Sequence, residues 1–151
     1  MIDRRAVAAL ALSATAFVAL LQSEGYSSTA IIPIAGDVPT IGFGTTDGVK
    51  IGDKITPQAA AARALSDVSK FEGALKRCVK VPLTQSEYDA FLSLSYNIGA
   101  GAFCGSTLVR RLNASDYAGA CEQILAWDKA SGRRVPGLTA RREREHKLCL
   151  H

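Results

Sequence analysis

Between Ala6 and Ser23 the chain carries no charged residue: the run AVAALALSATAFVALLQS follows Arg4 and Arg5 and is closed by Glu24. Eighteen uncharged residues after a basic start follow the plan of an export signal, and a helix of that length just spans a thin bilayer. The run is weakly apolar, however. Seven of its residues are Ala, and Ser13 and Thr15 sit in its middle, so it gains little from lipid. Three membrane readings follow. A cleavable signal could be cut at Ala14-Thr15-Ala16, but that cut falls inside the apolar run. A stable anchor would want more Leu, Ile and Phe. An Ala-rich segment can also be a membrane segment first and a soluble helix later, because Ala favours the helix at little cost in water. The plain alternative is an amphipathic first helix of a cytosolic domain, with Arg4 and Arg5 as solvated charges.

The whole chain has 151 residues, the size of one domain with a core of its own. With 48% hydrophobic and 21% charged residues, disorder is excluded. The formal charge of 18 − 14 = +4 suits an acidic partner: nucleic acid, anionic lipid or an anionic wall polymer. The four cysteines, Cys78, Cys104, Cys121 and Cys149, fit two disulfides and an oxidising compartment, in any of three pairings. Four buried thiols are the cytosolic alternative. No Cys-x-x-Cys pair occurs and the histidines are His146 and His151, so neither a metal nor another cofactor is expected.

From Gly25 to Ile55 the texture changes to short apolar pieces punctuated by Gly and Pro, which predicts a small antiparallel sheet with a turn at Asp47-Gly48. Helices follow. Thr56-Pro57 is a helix start, with Ala59, Ala62, Leu65, Val68, Phe71 and Leu75 at helical spacing. After Pro82, Thr84-Gln85-Ser86-Glu87 is a capping box, leading an apolar face of Tyr88, Phe91, Leu92 and Leu94. Further helices are expected from about Ser106 to Leu112, from Ser115 to Trp127 and from Thr139 to Leu148. The fold class is α+β: a leading helix, a small sheet, then a helical lobe.

Nucleophilic triads fail for want of a histidine before His146 and of a Gly-x-Ser-x-Gly elbow. There is no phosphate loop. Carboxylates remain. Glu24 ends the apolar run, where partial desolvation suits a proton donor. Asp37 lies in a polar Gly-Asp-Val-Pro-Thr turn, where an ionised carboxylate can activate water. Two acids flanking a sugar are the minimal machinery of glycoside hydrolysis, although acids at helix ends and turns also serve as caps.

The stretch Glu24-Gly25-Tyr26 with Pro39-Thr40-Ile41-Gly42-Phe43-Gly44-Thr45 resembles the active-site region of the phage lysozyme family, glycoside hydrolase family 24. The resemblance continues through Pro82-Leu83-Thr84-Gln85, Tyr88-Asp89-Ala90 and Tyr96-Asn97-Ile98-Gly99. Ser106-Thr107-Leu108, Leu112-Asn113, Trp127 and Pro136-Gly137-Leu138 follow, with Arg141, Arg142 and Glu145. It implies a lysozyme-like fold with a cleft between a β-rich lobe (24–56) and a helical lobe (57–151) of a single catalytic domain. It also implies a muramidase that cuts the β-1,4 bond between N-acetylmuramic acid and N-acetylglucosamine. The family's catalytic set is Glu, then Asp or Cys, then Thr, which implies Glu24 and Thr40 here, the Thr40 hydroxyl helping to position the attacking water. The middle member departs from the pattern: the usual spacing points to Pro33 or Ile34. Asp37, the only acid between Glu24 and Thr40, is the expected second carboxylate, and a simple turn residue is its other reading. Arg141 or Arg142 is expected to reach Glu24 or substrate, or else to form helix pairs such as Arg141 with Glu145.

The helix preceding the catalytic Glu is here the Ala-rich run itself. This resembles endolysins with a signal-anchor-release segment, and implies that residues 1–23 are an uncleaved, releasable anchor. The expected partners are then the peptidoglycan glycan strand and, before release, the bacterial inner membrane, with action in the periplasm and no nucleic acid. A monomer is expected. The alternatives are a catalytically inactive peptidoglycan-binding module of the same fold, a nucleic-acid binder using the Arg-rich final helix, and a cytosolic lysozyme that needs a separate pore. Glu143 and Glu145 dilute the basic stripe of the second.

Overall fold

The computed structural model describes residues 1–151. The uncharged run is not one helix in it. A single 3-10 turn at Val7–Ala9 is followed by an irregular stretch, and α1 covers only Ala14–Glu24. The break has a local cause. The backbone N–H of Leu12 donates to Glu72 Oε2 (3.0 Å) and that of Ser13 to Asp89 Oδ1 (3.0 Å). Ser13 Oγ accepts from the N–H of Ala16 (3.1 Å), the geometry of an N-cap. Ser13, a polar interruption of the uncharged run, is thus a helix start in the folded chain.

The remaining elements are β1 (Ser27–Ile31), β2 (Thr40–Gly42), α2 (Pro57–Cys78), α3 (Gln85–Ile98), α4 (Ala100–Cys104), α5 (Thr107–Asn113) and α6 (Tyr117–Gln123). They end with β3 (Lys129–Ala130), β4 (Arg133–Arg134) and α7 (Pro136–Cys149). The expected starts at Pro57 and Gln85 are present. Thr84 accepts from the N–H of Glu87 while the Glu87 carboxylate accepts from the N–H of Thr84, so both arms of the capping box are made. Ser106 and Asp116 cap α5 and α6 by one arm each, accepting from the N–H of Val109 and of Gly119. Local differences arise, and the helix expected to reach Trp127 ends at Gln123, followed by a 3-10 turn at Ile124–Ala126. The final helix starts at Pro136 rather than near Thr139, because proline is well suited to the first helical position. The expected break around Gly132 is a two-residue hairpin, β3 against β4.

The chain forms two compact units, residues 17–70 and residues 1–16 with 71–151. In the larger unit, α3 is the central element and packs most extensively on α7. Tyr88, Phe91, Leu92 and Leu94 are fully buried, as is Arg142. Arg141 and Arg142 both pair with Glu145, at 3.2 and 2.7 Å, and Ser93 Oγ donates to the same carboxylate. The expected Arg141–Glu145 pair therefore exists, but as part of a buried cluster rather than on a solvated face. The disulfides join Cys78 to Cys104 and Cys121 to Cys149, tying α2 to α4 and α6 to α7.

In the smaller unit, β1 and β2 pair antiparallel, with Ser27 opposite Gly42 and Ile31 opposite Thr40. The register shifts between those pairs. On its other edge β1 takes up the chain before α2: the N–H of Ala30 donates to Asp53 O and that of Ile55 to Ser28 O. Ile41, Val49, Ala60, Ala64 and Val68 form its interior. Gly42 has φ +64°, and a Cβ there would lie 2.9 Å from Ala60 Cβ. Only glycine lets β2 come this close to α2.

Candidate active site

Each of the three expected site residues lies in the unit of residues 17–70. Glu24 is the last residue of α1. The N–H of Gly25 still donates to Leu21 O (3.1 Å), and its φ of +70° turns the chain out of the helix, as glycine at a C-terminal cap allows. Glu24 is half-buried and its Oε1 is out of contact with water. Two residues on, the Tyr26 hydroxyl donates to Ile55 O (2.7 Å) and its ring packs on Phe43, with centroids 5.5 Å apart. This brace fixes the chain where it leaves Glu24 and enters β1.

Asp37 lies in the connection from β1 to β2. The N–H of Asp37 donates to Ile34 O (2.9 Å), closing a turn with Gly36 at φ +87°, a value that favours glycine. Asp37 Oδ1 accepts from the N–H of Val38 (2.9 Å). Thr40, the first residue of β2, donates from its Oγ1 to Val38 O (3.3 Å). Asp37 and Thr40 are therefore bound to the two sides of one residue, Val38. The carboxylate is exposed and the threonine half-buried. Val38 is a link that residue-type reasoning missed, because its contribution is its backbone alone.

After β2 the chain makes a tight loop in which Ile41 and Thr45 exchange both backbone hydrogen bonds, at 2.9 and 3.0 Å. Thr45 is buried, and its hydroxyl donates to Asp67 Oδ2 (2.7 Å). Beyond it, Asp47 is held from α2: its carbonyl accepts from Arg63 and its carboxylate from Lys70 (2.9 Å). The Lys70 hydrogen bond holds the Asp47 carboxyl below its ordinary range and raises the ammonium in return. Asp47-Gly48 is a turn, as expected, but it belongs to this clamped loop and does not join β1 to β2. No group of three or more His, Cys, Asp or Glu side chains converges to hold a metal ion.

A half-buried carboxyl at a helix end and an exposed, hydrogen-bonded carboxylate in a turn are chemically unequal. That inequality is what acid-assisted cleavage of an acetal requires, one group delivering a proton and the other staying charged.

The profile of the phage lysozyme family matches residues 21–145. The chain is 40% identical over 141 residues to a SAR-endolysin of Pseudomonas phage phiKMV, covering 91% of this chain and 87% of that protein. It is 44% identical over 113 residues to an endolysin of Acyrthosiphon pisum secondary endosymbiont phage 1, covering 72% and 77%. Among solved structures, the endolysin from Escherichia coli O157:H7 phage FAHEc1 superposes with a TM-score of 0.81 at 36% identity, covering 98% of this chain and 96% of that one. The chain belongs to the phage lysozyme family.

Proposed function

We propose that this member of the phage lysozyme family lyses its host through three residues of the smaller unit, Glu24, Asp37 and Thr40. The chain is an endolysin of the muramidase type, a glycoside hydrolase acting on peptidoglycan. The bond cleaved is the β-1,4 link between N-acetylmuramic acid and N-acetylglucosamine. Glu24 donates its proton to the glycosidic oxygen as the C1–O bond breaks. Asp37 stays ionised, supports the positive charge developing at the muramic C1 and takes a proton from the attacking water. Thr40 holds that water by its hydroxyl. The observation that carries this assignment is the shared hold of Asp37 and Thr40 on Val38, which fixes carboxylate and hydroxyl in one short stretch. Purified sacculi provide the test. Hydrolysis leaves reducing muramic acid termini, whereas anhydro-muramic termini would show a transglycosylase and remove the need for Asp37.

Residues 1–23 supply a second part of the reading, a releasable membrane anchor acting before periplasmic digestion. The supporting features are the basic start, the uncharged run and the likeness to a SAR-endolysin. Lengths matter here. No helix of the folded chain is long and apolar enough to cross a membrane. As α1, eleven residues give about 17 Å of helix, whereas the uncharged run wound as one helix gives about 27 Å, close to the hydrocarbon thickness. Spanning the membrane therefore requires Leu12 and Ser13 to leave Glu72 and Asp89. Anchored and folded forms exclude each other at these residues.

A further inference from the structure

The two disulfides occupy different environments. Cys121 and Cys149 are 2% and 3% exposed; they too border a pocket, but its cation, Arg4, is paired with the Glu87 carboxylate at 2.7 Å. Cys78 and Cys104 are both only half-buried, and they sit together in the wall of an open groove of about 390 Å³. The rest of that groove is lined by Ala74, Arg77, Ala100 and Gly101. Three of these residues are too small to cover a sulfur atom, and the fourth is a cation. Arg77 is exposed, and its Nη1 lies over Gly73, at 3.3 Å from where a Cβ would stand. No acid lines the groove.

From this contrast we infer that Cys78–Cys104 is a thiol–disulfide exchange site that takes a small anionic thiol, and that Cys121–Cys149 is inert in the folded chain. Exchange needs a thiolate to approach a sulfur of the bridge, so access decides which disulfide reacts. The small residues provide that access. The Arg77 guanidinium attracts the incoming anion and stabilises the thiolate that leaves.

The incoming thiolate forms a bond to one of the two cysteine sulfurs. The Cys78–Cys104 bond breaks, and the other sulfur departs as a thiolate that takes a proton from water. A second thiol molecule then attacks the mixed disulfide. It frees the second cysteine and leaves the two small thiols joined as their own disulfide. Two electrons pass to the protein for each pair of thiols oxidised.

The fold around Cys78 does not rest on the bridge alone. Asn113 Nδ2 donates to Cys78 O (2.8 Å) and Asn113 Oδ1 accepts from the N–H of Lys80 (2.8 Å), while Val79 between them is buried. This clamp keeps the end of α2 in place once the sulfurs part, so exchange proceeds without unfolding.

The folded protein is treated with glutathione under native conditions, quenched with acid, alkylated and mapped by peptide mass spectrometry. The site predicts that Cys78 and Cys104 are alkylated about an order of magnitude or more faster than Cys121 and Cys149. It also predicts that Arg77→Glu slows glutathione severalfold more than 2-mercaptoethanol, whose thiolate carries no charge beyond that on its sulfur. Equal rates for the two bridges, or faster labelling of Cys121 and Cys149, would overturn the inference. An equal slowing of both thiols by Arg77→Glu would overturn its charge component.

Discussion

Ser13 gives two hydrogen bonds to the carboxylate of Asp89, one from its N–H at 3.0 Å and one from its hydroxyl at 2.7 Å. Gln85 Nε2 donates to the same group (2.9 Å), which is buried. Asp89 thus fixes the residue that starts α1, the helix that ends on Glu24. Asp89→Ala leaves the half-buried N–H and hydroxyl of Ser13 without this acceptor. The expected loss is about 2–3 kcal/mol, since bonds to a charged acceptor are worth more than neutral ones. For a chain of this size that lowers Tm by roughly 4–12 °C. Thermal unfolding by circular dichroism checks it, and an unchanged Tm would show that Ser13 finds another partner.

Gly42→Ala and Gly25→Ala separate backbone strain from steric clash. Both positions have positive φ, but a Cβ at Gly25 meets nothing within 4 Å, while one at Gly42 meets Ala60 Cβ at 2.9 Å. The left-handed conformation costs roughly 1 kcal/mol in each, and crowding adds about 1–3 kcal/mol at Gly42 alone. Urea denaturation is expected to rank Gly42→Ala well below Gly25→Ala. Equal stabilities would mean that α2 yields to the added methyl.

Tyr88 makes stability fall at alkaline pH. Burial pushes its phenol up, and the hydrogen bond to Glu72 and the nearby Asp89 charge push the same way. The unfolded phenol ionises near pH ~10. The contribution is therefore complete below that value, and it is lost progressively as the pH climbs above it towards the raised folded value. Tyr88→Phe is expected to cost about 1 kcal/mol at neutral pH and to flatten the decline between about pH 9 and 11 relative to wild type. Parallel curves for the two proteins would contradict this.

The anchor reading makes a cellular prediction. Replacing Ala8, Ala11, Ala16 and Ala19 by Leu raises the apolarity of the run and is expected to hold the protein in the membrane fraction, delaying lysis. Dissipating the membrane potential, which acts on Arg4 and Arg5, is expected to release wild type and not this variant. Release of both alike would rule out a lipid-held anchor.

The helix starts that the sequence displays at Pro57 and Thr84 are reproduced in the structure. Thr84 and Glu87 stand three residues apart, as a capping box requires, and Pro57 can only begin a helix. What it hides is set by distance along the chain. Glu72 and Asp89 read as ordinary helix acids, yet their carboxylates break the helix of the Ala-rich run 60 and 76 residues away. No periodicity carries that information. The cysteine pairing was open for the same reason, because spacing favours none of the three connections. At the site, Glu24 and Thr40 stand out through the family motif. Asp37 stands out only as the sole acid between them, and its tie to Thr40 runs through the Val38 backbone, which has no side-chain signature.

The most direct test of the account is mass spectrometry of peptidoglycan digested by wild type, Glu24→Gln and Asp37→Ala. The predicted result is reducing muramic acid termini from wild type and a loss of rate of about a hundredfold or more in each variant. Full activity of Asp37→Ala beside an inactive Glu24→Gln would contradict the assignment of Asp37 as the second carboxylate.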